Sequence, residues 1–352
     1  MLNVIDEFTH ECLAIRVARP RSIPDDAGHR CRRLLKLRIN PRPGKINAMS
    51  LASPQRVAGR RPPALRRSWL FCPGADREAL LAARSCGADV LIQELEDFTP
   101  PERRPEARAL AVEIYSAWRA AGILAAVRIN PIESEGRADL AAAMRGAPDI
   151  VLMSKVAEPA QVAALDAEVS RFEERLGLPA GATELAPNIE SARGIMQTYA
   201  IAKASPRVTS VVGSTEDLAA DLNAPRSKAG AELAYARQRL HLECTAAQVL
   251  SVDCPYTFAD LPGCEADARH ARALGYVAKS AVDPTHVAAI NRVMTPSAEE
   301  VREARFVVES FEAARAAGRE RARRGDLLIE VPAYFSAKRL LARAAALRVE
   351  GT

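Results

Sequence analysis

A (β/α)8 barrel is the fold class predicted by this 352-residue sequence, on three observations. From Arg67 onward, short β-rich runs alternate with Ala/Leu/Arg/Glu-rich stretches of helical period, as in parallel α/β proteins. Eight such units fill about 225 residues, the size of a single barrel. The turn after the first strand reads Cys72-Pro73-Gly74-Ala75, which lacks the glycine-rich phosphate fingerprint of a doubly wound sheet.

Residues 1–66 precede the pattern. They carry 12 Arg and 2 Lys against 5 acids, a balance of +9. The whole chain sums to +5, which leaves −4 for the rest, so the basic character belongs to this segment. No apolar period of 2 or 3.6 persists in it, and a disordered basic extension is expected, with Met49 a candidate start and residues 1–48 dispensable. Asp6, Glu7 and Glu11 are out of place in a transit peptide, and the apolar core of a secretory signal is missing. Aromatic residues do not interleave the basic ones as a nucleic-acid arm requires, so no nucleic-acid partner is expected.

The barrel is expected over residues 67–295. Its strands are read at 68–72, 90–95, 124–129, 150–153, 184–189, 208–212, 249–252 and 276–281. Helical stretches between them include 77–86, 102–121, 192–204 and 265–274. Residues 296–352 form a C-terminal helical extension. Helices at 298–317 and 333–347 flank Gly318, the basic run 319–324 and the segment 326–332, an arrangement that could cap the barrel as a lid or reach a neighbouring subunit.

Composition excludes several function classes. An apolar content of 48% supports a large core and rules out global disorder. No apolar run approaches the length of a membrane span, so no membrane partner is expected. The seven cysteines include no C-x-x-C pair, which points to reduced thiols in a cytoplasmic protein. The five histidines show no zinc-binding spacing.

In such a barrel the reacting groups lie at the C-terminal ends of the strands. The second strand ends in Glu94-Leu95-Glu96-Asp97, the third in Arg128-Ile129-Asn130, the fifth in Asn188-Ile189-Glu190, and the sixth runs into Glu216-Asp217. Charged groups at the ends of apolar strands are costly unless paired or metal-bound, so their recurrence at one rim suggests one site. Glu190 and Asp217 are 27 residues apart, one strand–helix unit. They should therefore end adjacent strands, about 4.8 Å apart, and two carboxylates so placed can share a hard cation such as Mg2+. The alternative for each acid taken singly is a helix cap. Arg128 offers a fork for a carboxylate or carbonyl oxygen, or a salt bridge to Asp97 or Glu96. Lys155, after the fourth strand, reads as a rim ion pair rather than a Schiff-base lysine.

At these residues the chain resembles the HpcH/HpaI aldolase and citrate lyase beta-subunit family, in its CoA-ester lyase branch. The matching stretches are 67–74 (RSWLFCPG), 87–89 leading to Leu95-Glu96-Asp97, 127–131 (VRINP), 189–194 (IESARG), Glu216-Asp217-Leu218 and Ala273-Leu274-Gly275-Tyr276. The resemblance runs in order over about residues 66–350. It implies a Mg2+-dependent (or Mn2+-dependent) barrel that cleaves or forms a C–C bond next to a CoA thioester such as malyl-, citramalyl- or citryl-CoA, giving an acyl-CoA and a keto acid. It also implies a homotrimer or a hexamer built as a dimer of trimers.

Carried over by motif, Glu190 and Asp217 are metal ligands, Arg128 binds the keto acid and Asp97 orders metal-bound water. Arg67 and Glu96 complete the substrate-binding set, and Arg67, Arg226 and Lys228 are candidate contacts to the CoA phosphates. Three positions depart from the family pattern: Glu94 for the first Asp of Asp-Leu-Glu-Asp, Asp283 for a histidine after the eighth strand, and Glu330 for an Asp in the tail. That tail acid is the implied acid/base group, donated across a subunit boundary. Rival readings are a CoA-free 2-keto acid aldolase, a malate-synthase-like thioesterase, and a catalytically silent subunit of a lyase complex.

Overall fold

The computed structural model describes residues 2–5, 12–15 and 59–349. The chain divides into two units, Met1–Ala48 and Met49–Thr352. In the first, strand Leu2–Ile5 pairs antiparallel with Cys12–Ile15. Strands of four residues are too short to carry a readable period, which is why this hairpin was not expected. The expectation of disorder for the rest of residues 1–58 lies outside the described residues.

In the second unit, eight parallel strands form the barrel: β1 (Ser68–Pro73), β2 (Val90–Glu94), β3 (Leu124–Ile129), β4 (Ile150–Met153), β5 (Glu184–Ile189), β6 (Ser210–Gly213), β7 (Leu250–Val252) and β8 (Lys279–Ala281). Each pairs with its successor from β1 through β7, β8 pairs back onto β1, and a parallel bridge between Asp253 and Lys279 brings β7 to β8. The sheet thus closes as expected. β3, β4 and β5 coincide with the sequence reading, and all three are buried along their whole length. β8 is shorter than expected. Gly275, at φ +107°, ends the preceding helix in the left-handed region, and the Tyr276 N–H still donates to the Ala271 carbonyl, so this stretch is a helix cap and not strand. Val208 makes one isolated bridge to Leu185, and β6 begins at Ser210.

Period-2 alternation sorts the strands into two faces. Trp69, Phe71, Ile92, Ala126, Leu152, Ala186, Val212 and Val252 fill the barrel interior. The opposite faces, with Leu70, Leu91, Val127, Val151 and Leu185, pack on the surrounding helices. One charged cluster is buried in this outer layer. Lys279 pairs with Asp253 (2.7 Å) and Asp267 (2.6 Å), and Arg237 pairs with the same two acids.

The helices follow local chemistry. Glu158 and Gln161 form a reciprocal capping box at the start of Pro159–Leu176, and Ser297 and Glu300 do the same for Ala298–Ala316. The stretch expected as one helix over 192–204 is two short ones, Ala192–Ile195 and Thr198–Ala202. Gly194 in the first is obligatory: a Cβ there would lie 2.7 Å from the Val156 carbonyl oxygen.

Two expectations about the ends of the barrel change. Residues 60–66 are packed against its N-terminal face. Arg66 is fully buried and donates two hydrogen bonds to Glu184 (2.6 and 2.8 Å), while Arg60 pairs with Asp149 (2.7 Å). The C-terminal extension holds helix Ala298–Ala316, an unexpected hairpin (Ala322–Arg324 with Leu327–Ile329) and helix Val331–Ala346. Phe311, Ala314, Ala322 and Ile329 form its small core. Within its own chain it is no lid. Arg343 of the last helix donates to the carbonyls of Ala64, Val277 and Met294, all on the N-terminal side of the strands, opposite the mouth.

Candidate active site

The inward face of each strand, continued two residues, builds the mouth. Ile92 leads to Glu94, Ala126 to Arg128, and Ala186 to Asn188 and Glu190. These side chains therefore project from neighbouring strands into the top layer of the barrel. The Pro73-Gly74 turn lies flat against the end of β2, where a Cβ on Gly74 would sit 2.0 Å from the Glu94 carbonyl oxygen. Only glycine allows this close packing beneath the acidic turn.

Glu94, fully buried, braces that turn. Its Oε1 accepts from the Glu96 N–H (2.7 Å) and from Arg128 Nε (2.8 Å), and its Oε2 accepts from the Phe98 N–H. Arg128 occupies the centre. Its Nη2 faces Glu96 Oε2 (3.2 Å) and Asp97 Oδ2 (3.8 Å), and its Nη1 faces Glu190 Oε1 (3.4 Å). Phe71 and Phe98 also face its guanidinium, with ring centroids 5.1 and 5.9 Å from Cζ. Burial opposes the charge on Arg128, and the carboxylates of Glu94, Glu190 and Glu96 more than reverse that, holding it protonated. Lys155 pairs with Glu96 and lies 3.8 Å from Asp97. It does so from the left-handed region at φ +56°, a strained backbone for a lysine.

Glu190 and Asp217 end β5 and begin the helix after β6, strands joined by the Ser214 N–H donating to the Ile189 carbonyl. Asp217 is near enough for its charge to act on Glu190. Burial pushes the Glu190 carboxyl up to about 8; Arg128 opposes this, while Asp217, Glu96 and Asp97 add to it. Burial also raises the Glu96 carboxyl against the pull of Arg128 and Lys155. Glu190 Oε2 and Asn188 Oδ1 are buried with no hydrogen-bond partner, whereas Asp217 Oδ2 accepts from the Ser214 hydroxyl (3.2 Å).

Five carboxylates (Glu94, Glu96, Asp97, Glu190, Asp217) thus face two cations, Arg128 and Lys155. Among the described residues no three His, Cys, Asp or Glu side chains converge as a ready-made metal cage. Two carboxylates with free oxygens fit Mg2+, which fills its remaining positions with water and substrate oxygens. The mouth opens into a cavity of about 260 Å3 lined by Phe71, Asp97, Phe98, Arg128, Asn188, Gly213–Glu216, Pro255, Thr257 and Val282.

The other expected residues are not all brought here. Arg67 precedes β1 and stands at the opposite end, where its backbone N–H (2.7 Å) and Nε (2.9 Å) donate to Asp89 and its Nη1 donates to Thr295. It cannot contact a substrate in the mouth. Arg226 and Lys228 lie beside the mouth, on the loop after β6, but each is engaged. Arg226 pairs with Glu216 (3.0 Å) and Glu232, and Lys228 with Asp260 (2.8 Å). Glu330 does not line its own chain's cavity; it is half exposed and pairs with Arg321 (3.1 Å). Asp283 caps the turn at Pro284–His286 through the Thr285 N–H (2.8 Å). Phe71, Phe98 and Val282 were not anticipated. The inward parity of Phe71 was a readable signal, whereas Phe98 is placed by a turn that only the fold reveals.

Comparison with known proteins agrees with this architecture. The description of the HpcH/HpaI aldolase/citrate lyase family matches residues 67–284. The chain is 31% identical over 281 residues to the citrate lyase subunit beta of Escherichia coli, covering 79% of this chain and 93% of that protein. It is 30% identical over 289 residues to a (3S)-malyl-CoA thioesterase of Cereibacter sphaeroides, covering 80% and 95%. Among solved structures, CitE from Mycobacterium tuberculosis in complex with magnesium, acetoacetate and coenzyme A superposes with a TM-score of 0.64 at 27% identity, over 80% of this chain and 99% of that one. Fold, mouth and sequence together place the chain in the HpcH/HpaI aldolase/citrate lyase family of carbon–carbon lyases.

Proposed function

We propose that the protein is a Mg2+-dependent lyase for a β-hydroxy acyl-CoA thioester, releasing an acyl-CoA and a keto acid. One observation carries this reading: a buried excess of carboxylates around Arg128, with Glu190 Oε2 left without a partner. A further cation would offset that excess, as the proton kept by the raised Glu190 carboxyl does without one. Glu190 and Asp217 would hold the cation, with Asp97 at the exposed edge to order its water. Bound there, the metal would polarise the substrate hydroxyl and carboxylate as a Lewis acid.

The chain's own residues do the rest. The fork of Arg128 binds the α-carboxylate and stabilises charge as the bond breaks. Glu94 and Glu96 fix that fork, and Lys155 fixes Glu96. A base takes the hydroxyl proton, the C–C electron pair moves onto the thioester as an enolate, and a proton completes the acyl-CoA. Glu330 from a neighbouring subunit is the proposed acid/base group, in a homotrimer or hexamer. Arg226 and Lys228 remain the candidates for the CoA phosphates, since Arg226 contacts Glu216 and Thr257 of the mouth and Lys228 lies over the ring of Phe258, next to Thr257 in the chain.

The named activities of the relatives, citrate lyase subunit beta and (3S)-malyl-CoA thioesterase, support the substrate class. Glu190→Gln and Asp217→Asn, which keep shape and remove charge, should each abolish thioester cleavage and weaken Mg2+ binding measured by calorimetry. Unchanged Mg2+ affinity in both variants refutes the assignment. Free CoA among the products of the wild-type enzyme would favour the thioesterase reading.

A further inference from the structure

The turn that carries Glu96 and Asp97 follows β2 and belongs to no helix or strand, so its backbone groups need partners from elsewhere. Glu94 takes the Glu96 and Phe98 N–H groups from the inner side. The carbonyls are taken by side chains from outside the turn. Asn130 Nδ2 donates to the Leu95 carbonyl (2.9 Å), and Arg104 donates to the Glu96 carbonyl through Nη2 and to the Thr99 carbonyl through Nε (both 3.3 Å).

Both donors are themselves held. Asp139, fully buried, accepts from the Asn130 N–H (3.0 Å), from Asn130 Nδ2 (2.8 Å) and from Arg108 Nε (2.8 Å). Glu135 accepts from Arg104 Nη1 (2.5 Å) and from Arg108 Nη2 (2.6 Å). The loop after β3 closes over this join, where a Cβ on Gly136 would lie 2.1 Å from the Asn130 carbonyl oxygen.

Asn130 stands two residues beyond Arg128. The Arg128 carbonyl accepts from the Leu95 N–H (3.0 Å), while the Asn130 side chain takes the Leu95 carbonyl. One strand end therefore grips Leu95 by both its backbone groups, and the same strand end carries the fork that Glu96 and Asp97 face. Apolar side chains often serve stability as well as a buried ion pair does. What the pair of Asp139 with Arg108 adds is direction: the Asn130 carboxamide has one orientation, and the Leu95 carbonyl one place.

We propose that Asn130 is a positioning residue of the reaction. Braced by Asp139, it fixes the turn so that Glu96 and Asp97 stand against Arg128 and the cation that Glu190 and Asp217 would hold. This rests on the metal site of the lyase reading above and adds to it a residue outside the cavity lining.

The test is Mg2+ titrated calorimetrically, without substrate, into full-length wild type, Asn130→Ala, Asp97→Asn, the double variant and Glu190→Gln. Asn130→Ala should bind Mg2+ about 10-fold more weakly, the lower end of the cost of losing a residue that orients a metal's partners. In the Asp97→Asn background the same change should cost less than about twofold, because the group it positions is already gone. A role in folding alone would lower Tm in both backgrounds and leave Mg2+ affinity unchanged, or would add its full cost to that of Asp97→Asn. Either result overturns the proposal. Asp139→Asn keeps the shape and loosens the brace, and it carries the test, with the same outcomes, if melting curves show Asn130→Ala unfolded. Wild-type affinity in Glu190→Gln sinks the metal reading, whereas a weakened Glu190→Gln beside an unaffected Asn130→Ala sinks this inference alone.

Discussion

Replacing Arg128 by lysine keeps the charge and removes the fork, so it separates electrostatics from geometry. The guanidinium lies within 3.4 Å of three buried carboxylates: Glu94 through Nε, Glu96 through Nη2 and Glu190 through Nη1. An ammonium is a point charge and can face one of these well. Two charged contacts are then lost, at about 1.5–3 kcal/mol each. The sum matches the roughly 3–5 kcal/mol expected when a buried ion pair is broken. Mg2+ on Glu190 would take over one of the abandoned carboxylates, so the metal should rescue part of the stability and little of the rate. The rate should fall by about 10²–10³, the cost of removing one positioned donor. Thermal melts with and without Mg2+ read the first effect, and kcat/KM for thioester cleavage reads the second. A variant within about threefold of wild-type kcat/KM would mean that Arg128 supplies only diffuse charge, and the assignment of the fork to the α-carboxylate would fail.

At the other end of the barrel, Arg66→Met should cost up to about 3–5 kcal/mol, because it leaves the buried Glu184 with only Arg60 (3.4 Å) and the Thr209 hydroxyl (2.5 Å), and Tm should fall by about 2–4 °C for each kcal/mol. Burial works to raise the Glu184 carboxyl, but the hydrogen bonds from Arg66 and then its charge outweigh it and hold the group below the usual carboxylate range. A depressed folded-state pKa gives stability that is present above the unfolded value of about 4.3 and is lost as pH falls through the folded one. The gap between wild type and variant should therefore narrow in acid, and a gap independent of pH would refute the pairing. A chain starting at Met49 keeps Arg60–Arg66 and should retain fold and activity, whereas one starting at Arg67 should melt well below it. Glu330→Gln should lower the rate by about 10²–10⁴ if the side chain is an acid/base group. Mixing this variant with Arg128→Ala should restore part of the activity if sites are shared between subunits; a fully active Glu330→Gln enzyme removes Glu330 from the mechanism.

Most of the barrel was legible because each strand is buried on both faces. The run 150–153 is continuously apolar until Ser154 stops it, and 124–129 is apolar apart from Arg128 until Asn130-Pro131; the strands stop where these runs do. Legibility fails where another interaction claims the backbone. Tyr276 reads as strand, yet its N–H completes a helix cap and its hydroxyl donates to the Arg237 carbonyl. The hairpin Ala322–Arg324 with Leu327–Ile329 is hidden inside a basic run whose arginines look like linker, since only Ala322 and Ile329 join the small core.

The site divides along a different line. Strand polarity decides which end of the barrel a charge reaches, and parity decides whether it points inward; both can be read from one sequence. Arg128, Glu190 and Glu94 satisfy the two conditions and meet. Arg67 fails the first, because it precedes its strand, and its placement with Asp89 follows from the same polarity that selected the others. Neither condition tells how many acids share one cation. The turn Leu95–Phe98 folds back on Glu94, bringing Glu96 and Asp97 to the guanidinium that Glu190 approaches from the far side. Acids thus meet all three guanidinium nitrogens, and Glu190 Oε2 is left without a hydrogen-bond partner. The rings of Phe71 and Phe98 also face the guanidinium, a wall of this site that neither strand polarity nor parity alone assembles.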